Sequence, residues 1–319
     1  MKKILALLAL VPGTAFAQQI AVDGSSTVYP ISLAMAEEFQ IVNPDAQITV
    51  GFAGTGGGFE RFCAGETQIS DASRVIEPDE VAACQEASIP FIELPIAADA
   101  LTVVVNPEND WVECLTVEQL TQIWSADGGV TTWSDVNPEW PEEPLELYAP
   151  GVDSGTFDYF NEAIIGDDAE IRQDFSPSED DNVLVQGVQG NTNAMGFFGY
   201  AYYAENPDTL KAVEIDGGDG CVAPSAETVE DASYTPLSRP LFIYVSQSAV
   251  DSTPALQDFV DFYLSPDNTE LIEDTGYVTY DEGIYEAVQA RFDERVTGSA
   301  FADFAPGDDV LEAVQEAEQ

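Results

Sequence analysis

A strand–turn–helix unit that the chain uses three times constrains the fold most. In its clearest copy, residues 145–149 alternate like a strand, and the apolar positions of residues 157–164 recur at helical spacing. Ser154, Gly155 and Thr156 lie between them, at the predicted helix N-terminus. The first backbone N–H groups of a helix lack intrahelical partners and carry the positive end of the dipole, so such a turn favours an anion. The alternative is that Ser154 only caps the helix.

Two further copies of the unit lie earlier in the chain. Residues 19–22 read as a short strand, residues 24–28 as a hydroxyl-rich turn, and Pro30 stands near the start of a helix, where proline is tolerated. Residues 47–52 then alternate like a strand and lead through the glycine-rich run 54–58 into another helix. That run lacks a G-x-G-x-x-G register, so it favours close approach to a small anion over a dinucleotide. The three helix N-termini are expected to converge at a cleft between two lobes.

A third predicted strand end carries an acid and a base together. Asp71, Ser73 and Arg74 follow one another closely in the sequence. The planar guanidinium fork of an arginine donates two parallel hydrogen bonds and suits a tetrahedral oxyanion. Lysine and arginine number only nine in the chain, which favours a functional role for Arg74. The alternative is a surface ion pair between Arg74 and Asp71.

The N-terminus predicts export. Lys2 and Lys3 precede an apolar run and a small-residue site that ends at Ala17, the pattern of a secretory signal peptide over residues 1–17. Cleavage after Ala17 leaves Gln18 as the mature N-terminus. The apolar run is too short to span a membrane, so a soluble periplasmic protein is expected.

The charge is strongly one-sided. The chain carries 59 Asp and Glu against nine Lys and Arg, a formal net charge of −50. Nucleic acids and anionic membranes are therefore poor partners, and adaptation to salty water is one interpretation. An anionic ligand is repelled by this field, so its recognition must depend on short-range donors, helix termini and a few arginines.

The cysteines predict two disulfides. There are four, an even number, in a chain expected in an oxidising compartment, and there is no histidine or Cys-x-x-Cys spacing to indicate zinc. Three pairings are possible. Cys63–Cys84 with Cys114–Cys221 is preferred because it keeps each bridge within one predicted lobe.

Strands and helices alternate throughout, which predicts an α/β protein. The apolar run 101–105 is typical of a buried strand, and the chain is expected to cross between lobes near Ala97 and to return near Arg239. The predicted lobes are residues 18–97 with 240–319, and residues 98–239. The acidic tail beyond Ala305 is expected to fray.

The enzyme alternatives depend on isolated motifs. Asp153 begins a D-S-G-T sequence that matches the aspartic protease signature, but it leads into a predicted helix rather than a β-rich site. Ser154 has no histidine anywhere in the chain to activate it. Phosphatase chemistry needs a metal cluster or a cysteine nucleophile, and neither is visible. We expect no enzyme activity, metal or cofactor.

Taken together, these motifs resemble the periplasmic phosphate-binding protein of the phosphate ABC transporter. Their order and spacing carry the resemblance through most of the chain beyond the leader. They are Gly24-Ser25-Ser26-Thr27 with Pro30, Gly54-Thr55-Gly56-Gly57-Gly58-Phe59, Asp71-Ala72-Ser73-Arg74, Asp153-Ser154-Gly155-Thr156-Phe157 and Gly196-Phe197-Phe198-Gly199-Tyr200-Ala201-Tyr202.

The resemblance implies a two-lobed (type II) binding-protein fold with the ligand between lobes joined by two hinge strands. It implies that phosphate is held without metal by hydroxyls, backbone amides and one arginine. The phosphate-binding residues then expected are Ser26, Thr27, the amide of Val28, Thr55, Asp71, Ser73, Arg74, Ser154, Gly155 and Thr156.

Two departures from the family pattern bear on the site. Many members have an arginine four residues before the Ser-Gly-Thr serine, where this chain has Pro150, and Arg74 is expected to replace it. Many members also have an aspartate where this chain has Ser73. That aspartate accepts the proton of hydrogen phosphate and so rejects sulfate. Asp71 or another acid is expected to take its role.

The resemblance implies that a monomer captures inorganic phosphate and delivers it to a membrane ABC permease. The alternative within the binding class is a carrier of another tetrahedral oxyanion, such as sulfate, arsenate or a phosphonate. An aspartic-type hydrolase that uses Asp153 is the alternative outside that class.

Overall fold

The computed structural model describes residues 18–152, 154–166, 169–178, 180–218, 220–231, 233–302, 304, 308 and 310–316. The predicted signal peptide and Asp153 lie outside these ranges. The strands are β1 Gln18–Gly24, β2 Ala46–Val50, β3 Ile69–Ala72, β4 Phe91–Val105, β5 Cys114–Thr116, β6 Glu146–Pro150, β7 Ser176–Ser178, β8 Ala194–Gly199, β9 Lys211–Ala212, β10 Glu214–Asp216, β11 Cys221–Val222 and β12 Ser238–Ser246.

Helices alternate with these strands, as predicted. They are α1 Tyr29–Val42, α2 Thr55–Cys63, α3 Pro78–Glu86, α4 Val117–Trp124, α5 Trp133–Val136, α6 Gly155–Phe160, α7 Asp181–Gln189, α8 Tyr200–Ala204, α9 Ala226–Glu230, α10 Gln247–Ser252, α11 Pro254–Tyr263, α12 Thr269–Glu273, α13 Glu282–Asp293 and α14 Val310–Glu316. A π-helical segment, Asn161–Ile165, continues α6, and a 3₁₀ turn, Pro266–Asn268, precedes α12.

One long sheet runs through the molecule, with strand order β2-β1-β3-β12-β4-β8-β6-β7 and β9 beside β4. The fifteen residues of β4 are all buried, which fits the predicted apolar run. Its first part, up to Ala100, pairs with β12, and its last part, from Leu101, pairs with β8. The strand therefore passes from one half of the sheet to the other. β5, β10 and β11 form a separate small sheet.

The buried side chains divide where β4 changes partners. One cluster joins the β2-β1-β3-β12 half of the sheet to α1, α2, α11 and α13, and it includes Ala100 and Leu241. The other cluster begins at Leu101, ends at Leu237, and surrounds Trp124. We call these halves the first and the second lobe. A smaller cluster lies under α7 in the second lobe. The α/β, two-lobed fold agrees with the sequence-based prediction.

Both disulfides pair as predicted. Cys63 is bonded to Cys84 between α2 and α3 in the first lobe. Cys114 is bonded to Cys221 between β5 and β11 in the second lobe. Each bridge ties together segments of a single lobe, so neither restricts movement of one lobe relative to the other.

The expectation that the C-terminal tail frays was wrong for residues 310–316. Residues 310–316 form helix α14, and Val310 and Val314 are buried against the core of the first lobe. Acidic composition predicts a solvated segment, but these two valines lie four residues apart and face the same side of a helix. The apolar pair therefore outweighs the surrounding charge.

Candidate functional site

A cavity of about 230 Å³ lies where all three strand–turn–helix units approach one another. It is polar, and residues of both lobes line it. The lining residues are Ser25, Ser26, Thr27, Gly54, Thr55, Gly56, Ser73, Arg74, Asp158, Tyr159, Glu162 and Arg239. The structure thus brings together five of the predicted site residues: Ser26, Thr27, Thr55, Ser73 and Arg74.

The first unit supplies a tight hydroxyl turn. Gly24 has φ +144°, and a Cβ there would come within 2.1 Å of the backbone oxygen of Asp71, so this close approach requires glycine. The amide of Ser25 donates to that same Asp71 oxygen at 2.9 Å. The turn is thereby fixed against β3, and buried Thr27 faces the cavity with its hydroxyl.

The second unit places another hydroxyl beside the end of β3. Gly54 precedes α2, and its amide donates to the oxygen of Gly24 at 2.8 Å, which joins the first two turns. The hydroxyls of Thr55 and Ser73 are 3.3 Å apart, and the amide of Ser73 donates to Thr55 Oγ1 at 3.4 Å. This wall of the cavity therefore offers neutral donors, which bind an anion without adding charge.

Arg74 lines the cavity, but its guanidinium is held within the first lobe. Its Nη1 and Nη2 each donate to the carboxylate of Glu80 at 2.9 Å, a bidentate pair, and Nε lies 3.4 Å from Glu77. Glu80 is the main cause that raises the pKa of Arg74 above its usual value. The alternative of an ion pair with Asp71 is not found among the described contacts either. A ligand would have to compete with Glu80 for this fork.

Arg239 lines the cavity but is not among the predicted site residues, and the same is true of Asp158, Tyr159 and Glu162. Arg239 lies directly opposite Asp99 in the antiparallel register of β12 and β4, and its Nε is 3.3 Å from the Asp99 carboxylate. Its Nη2 donates to Thr27 Oγ1 at 3.3 Å, and its Nη1 donates to Glu162 at 3.2 Å. Its guanidinium stacks 3.7 Å from the centre of the Tyr159 ring. One side chain therefore contacts both lobes and both crossing strands.

Burial and charge act against each other at this ion pair. The Arg239 side chain is 15% exposed and that of Asp99 is 8% exposed. Burial lowers the pKa of Arg239, but Asp99, Tyr159 and Glu162 raise it by more, so the pKa lies above its usual value. Burial raises the pKa of Asp99, and Arg239 opposes that shift. Such a pair is costly to separate because either charge alone would be buried without compensation.

The second lobe contributes α6 and the segment after it. Ser154 is the N-cap, and its hydroxyl accepts a hydrogen bond from the amide of Thr156 at 3.2 Å, as the capping interpretation requires. The part of α6 that lines the cavity is one turn later, at Asp158 and Tyr159. Burial, and then the nearby Glu162, raise the pKa of Asp158. Ser154, Gly155 and Thr156 are not among the described lining residues.

Asp71 and Val28 are also not among the described lining residues. The side chain of Val28 is buried in the core of the first lobe. The carboxyl group of Asp71 is fully buried and accepts a hydrogen bond from Ser32 at 2.9 Å, beneath α1. Burial is the main cause that raises the pKa of Asp71 to about 8. Asp158 and Glu162 are the acids that line the cavity itself.

This arrangement defines a class of protein. Two lobes joined by neighbouring strands enclose a small polar cavity with hydroxyls and arginines, which is the architecture of a solute-binding protein. None of the helices in the described part of the chain is long and apolar enough to cross a bilayer.

Comparison with known proteins gives the family. A sequence model of the PBP superfamily domain matches residues 11–267. Protein SphX of Synechocystis sp. is 48% identical over 286 residues, which cover 89% of this chain and 85% of that protein. Phosphate-binding protein PstS of Staphylococcus saprophyticus is 40% identical over 273 residues, 85% of this chain and 83% of that protein. The chain therefore belongs to the PBP superfamily, in the family that contains the PstS phosphate-binding proteins.

A solved structure agrees with this assignment. The crystal structure of a possible phosphate binding protein from Planctomyces limnophilus is 46% identical, with a TM-score of 0.83, and the match covers 86% of this chain and 98% of that one. The PstS relative and the Planctomyces protein are named for phosphate binding, and the chain belongs to a class of binding proteins rather than enzymes. The Asp153 hydrolase alternative has no support in them, and Asp153 lies outside the described residues.

Proposed function

We propose that the protein is an exported solute-binding protein that captures inorganic phosphate between its lobes and delivers it to an ABC permease. The observation that carries the proposal is the cavity itself, where hydroxyls of the first two turns meet the guanidinium of Arg239 between the lobes. The names of PstS relatives and of the Planctomyces structure support phosphate as the ligand. The predicted signal peptide and the predicted periplasmic location belong to this proposal.

The cavity can hold an oxyanion despite the net charge of −50. A guanidinium provides a paired donor, and Thr27, Thr55 and Ser73 add neutral donors at short range. Long-range repulsion is weakened by salt, with a Debye length of about 8 Å at physiological strength. Salt weakens the hydrogen bonds of short-range donors in a small cavity much less, so binding is expected to persist in salty water.

Lobe closure completes the proposed site. The lobes would be residues 18–97 with 240–319, and residues 98–239, with hinges where β4 and β12 pass between them. Ser154, Gly155 and Thr156 lie one turn before the lining part of α6, so a small rotation of the second lobe would bring their donors to the ligand. Their role in phosphate binding, and those of Val28 and Asp71, remain predictions.

Selectivity over sulfate depends on an acid that accepts the proton of hydrogen phosphate, because such an acceptor rejects an anion without that proton. Asp158 lines the cavity, and we propose it for this role. Carriage of another tetrahedral oxyanion is the alternative that the same donors would permit.

Calorimetric titration of the protein lacking residues 1–17 with phosphate, at moderate and high salt and again with excess sulfate, tests the proposal. Tight one-to-one phosphate binding that sulfate leaves unchanged is the expected result. Binding that sulfate abolishes would indicate a less selective oxyanion carrier. Absence of heat with phosphate in a folded sample would contradict the proposed function.

A further inference from the structure

Arg239 has two carboxylate partners that differ in kind. Asp99 is the residue opposite it on the neighbouring strand, and its side chain is 8% exposed. Glu162 comes from the π-helical segment of the second lobe, and its side chain is 70% exposed. A buried partner on a paired strand is permanent, whereas an exposed side chain gains little from its ion pair and can leave it readily.

The three guanidinium nitrogens of Arg239 are divided among these partners. Nε is directed to Asp99, whereas Nη1 and Nη2 are directed into the cavity, toward Glu162 and Thr27. Thr27 is neutral and can also donate its hydroxyl to an anion. Glu162 is itself an anion, and it accepts a hydrogen bond from Nη1, the nitrogen that a bound oxyanion would need.

We propose that Glu162 is an internal competitor that occupies the anion position of Arg239 until the ligand displaces it. The proposal rests on the proposed function, since it concerns how an oxyanion reaches the same site. The Glu162 carboxylate is a second anionic partner of Arg239 beside Asp99, and phosphate replaces it at Nη1. The protein thereby lowers its own affinity for the anion.

The exchange also links the ligand to the relative position of the lobes. While Glu162 contacts Arg239, the π-helical segment of the second lobe is connected through this guanidinium to Thr27 of the first lobe. Release of Glu162 breaks that connection. Glu162 is thus a positioning residue whose effect on affinity is opposite in sign to that of an ordinary ligand contact.

Replacement of Glu162 by glutamine tests whether Glu162 competes with the ligand. Glu162→Gln keeps the side-chain length but removes the competing charge, so we expect phosphate to bind about threefold to tenfold tighter in calorimetry at low salt. The gain should shrink as salt is raised, because an exposed ion pair is screened. Glu146→Gln is the matched control: it removes the same charge from an exposed position at the start of β6, and it should change the dissociation constant little.

The possible outcomes are distinct. Tighter binding in Glu162→Gln alone supports the proposal. Weaker binding would overturn it and would make Glu162 a ligand contact, such as the proton acceptor. Equal effects of Glu162→Gln and Glu146→Gln would also overturn it, because they would show only the global field. If neither the unaltered protein nor Glu162→Gln binds phosphate, arsenate or sulfate, the proposed function itself fails and the competitor role with it.

Discussion

Arg74 and Arg239 line the same cavity, but different surroundings hold them. Arg74 belongs to the first lobe alone, where Glu80 takes both terminal nitrogens and Glu77 lies close to the third. Arg239 lies where the chain crosses between lobes, with one buried carboxylate beside it and its terminal nitrogens directed into the cavity. The comparison teaches that the partners of a guanidinium, rather than its presence in a pocket wall, decide whether it is available to a ligand.

Loss of Arg239 should have the largest effect on binding. We expect Arg239→Met to weaken phosphate binding by about a hundredfold or more, as when a buried charge-assisted contact is lost. The free energy of unfolding should also fall by about 3–5 kcal/mol, because Asp99 would remain buried without its cation. Calorimetry and urea unfolding measure the two effects.

The double variant Arg239→Met/Asp99→Asn separates them. It removes the uncompensated charge and should recover much of the stability while binding remains weak. Strong phosphate binding by this folded variant would contradict the role given to Arg239.

The buried carboxyl group of Asp71 should make the stability of the protein depend on pH. Asp71 has no cation beside it in the described contacts, and its pKa is raised to about 8 from the ordinary value of 3.8. In the unfolded chain it ionises near its ordinary pKa, whereas the folded protein retains the proton. Its contribution to stability is therefore present below about pH 4 and is lost as pH rises toward 8.

Asp71→Asn removes this dependence. Relative to the variant, the unaltered protein should lose about 3–5 kcal/mol of unfolding free energy between pH 4.5 and pH 8. Urea midpoints at the two pH values measure the difference. A difference that does not change with pH would show that Asp71 is ionised in the folded state, and Asp71 would then again be a candidate ligand contact.

Removal of the Thr27 hydroxyl should weaken phosphate binding more than removal of the Thr55 hydroxyl. Thr27 is buried and contacts Arg239, whereas Thr55 is half-buried and contacts Ser73. We expect Thr27→Val to weaken phosphate binding by about tenfold and Thr55→Val by about threefold, because a hydrogen bond within a charged group's network is worth more than a neutral one. Parallel titrations measure both; the reverse order would place the anion nearer to Arg74.

Loss of Arg74 should affect phosphate binding as little as loss of the Thr55 hydroxyl. The sequence alone predicts a loss of several kcal/mol for Arg74→Ala, on the assumption that Arg74 is the cleft arginine. Its bidentate pair with Glu80 instead predicts that Arg74→Gln weakens phosphate binding only about threefold, within the range of partly exposed pairs. Arg295→Gln, far from the cavity on the first lobe, is the control for the lost positive charge. A hundredfold loss in Arg74→Gln alone would reverse the comparison.

The sequence predicts the parts of the molecule that local rules determine. Residues 101–105 form the end of a fully buried strand, and Ser154 caps a helix. The preferred disulfides are confirmed. They could be predicted because each joins segments of a single lobe. The strand and the helix cap follow from periodicity and capping, which depend on neighbouring residues.

The electrostatics of the site could not be predicted in the same way. The sequence places Arg239 at a crossing between lobes, but its meeting with Asp99 depends on the register of two strands 140 residues apart in the chain. From the sequence, Arg74 is available to a ligand. In the structure, Glu80 of α3, six residues later, pairs with it. Scarcity of basic residues indicated that arginines matter here, yet the choice between them is tertiary.

A crystal structure of the phosphate complex tests the central claim most directly. We expect phosphate oxygens within hydrogen-bond distance of the terminal nitrogens of Arg239 and of Thr27 Oγ1, with Glu162 withdrawn and Arg74 still paired with Glu80. Phosphate held by Arg74 with Glu80 displaced, while Arg239 keeps its contact with Glu162, would contradict it.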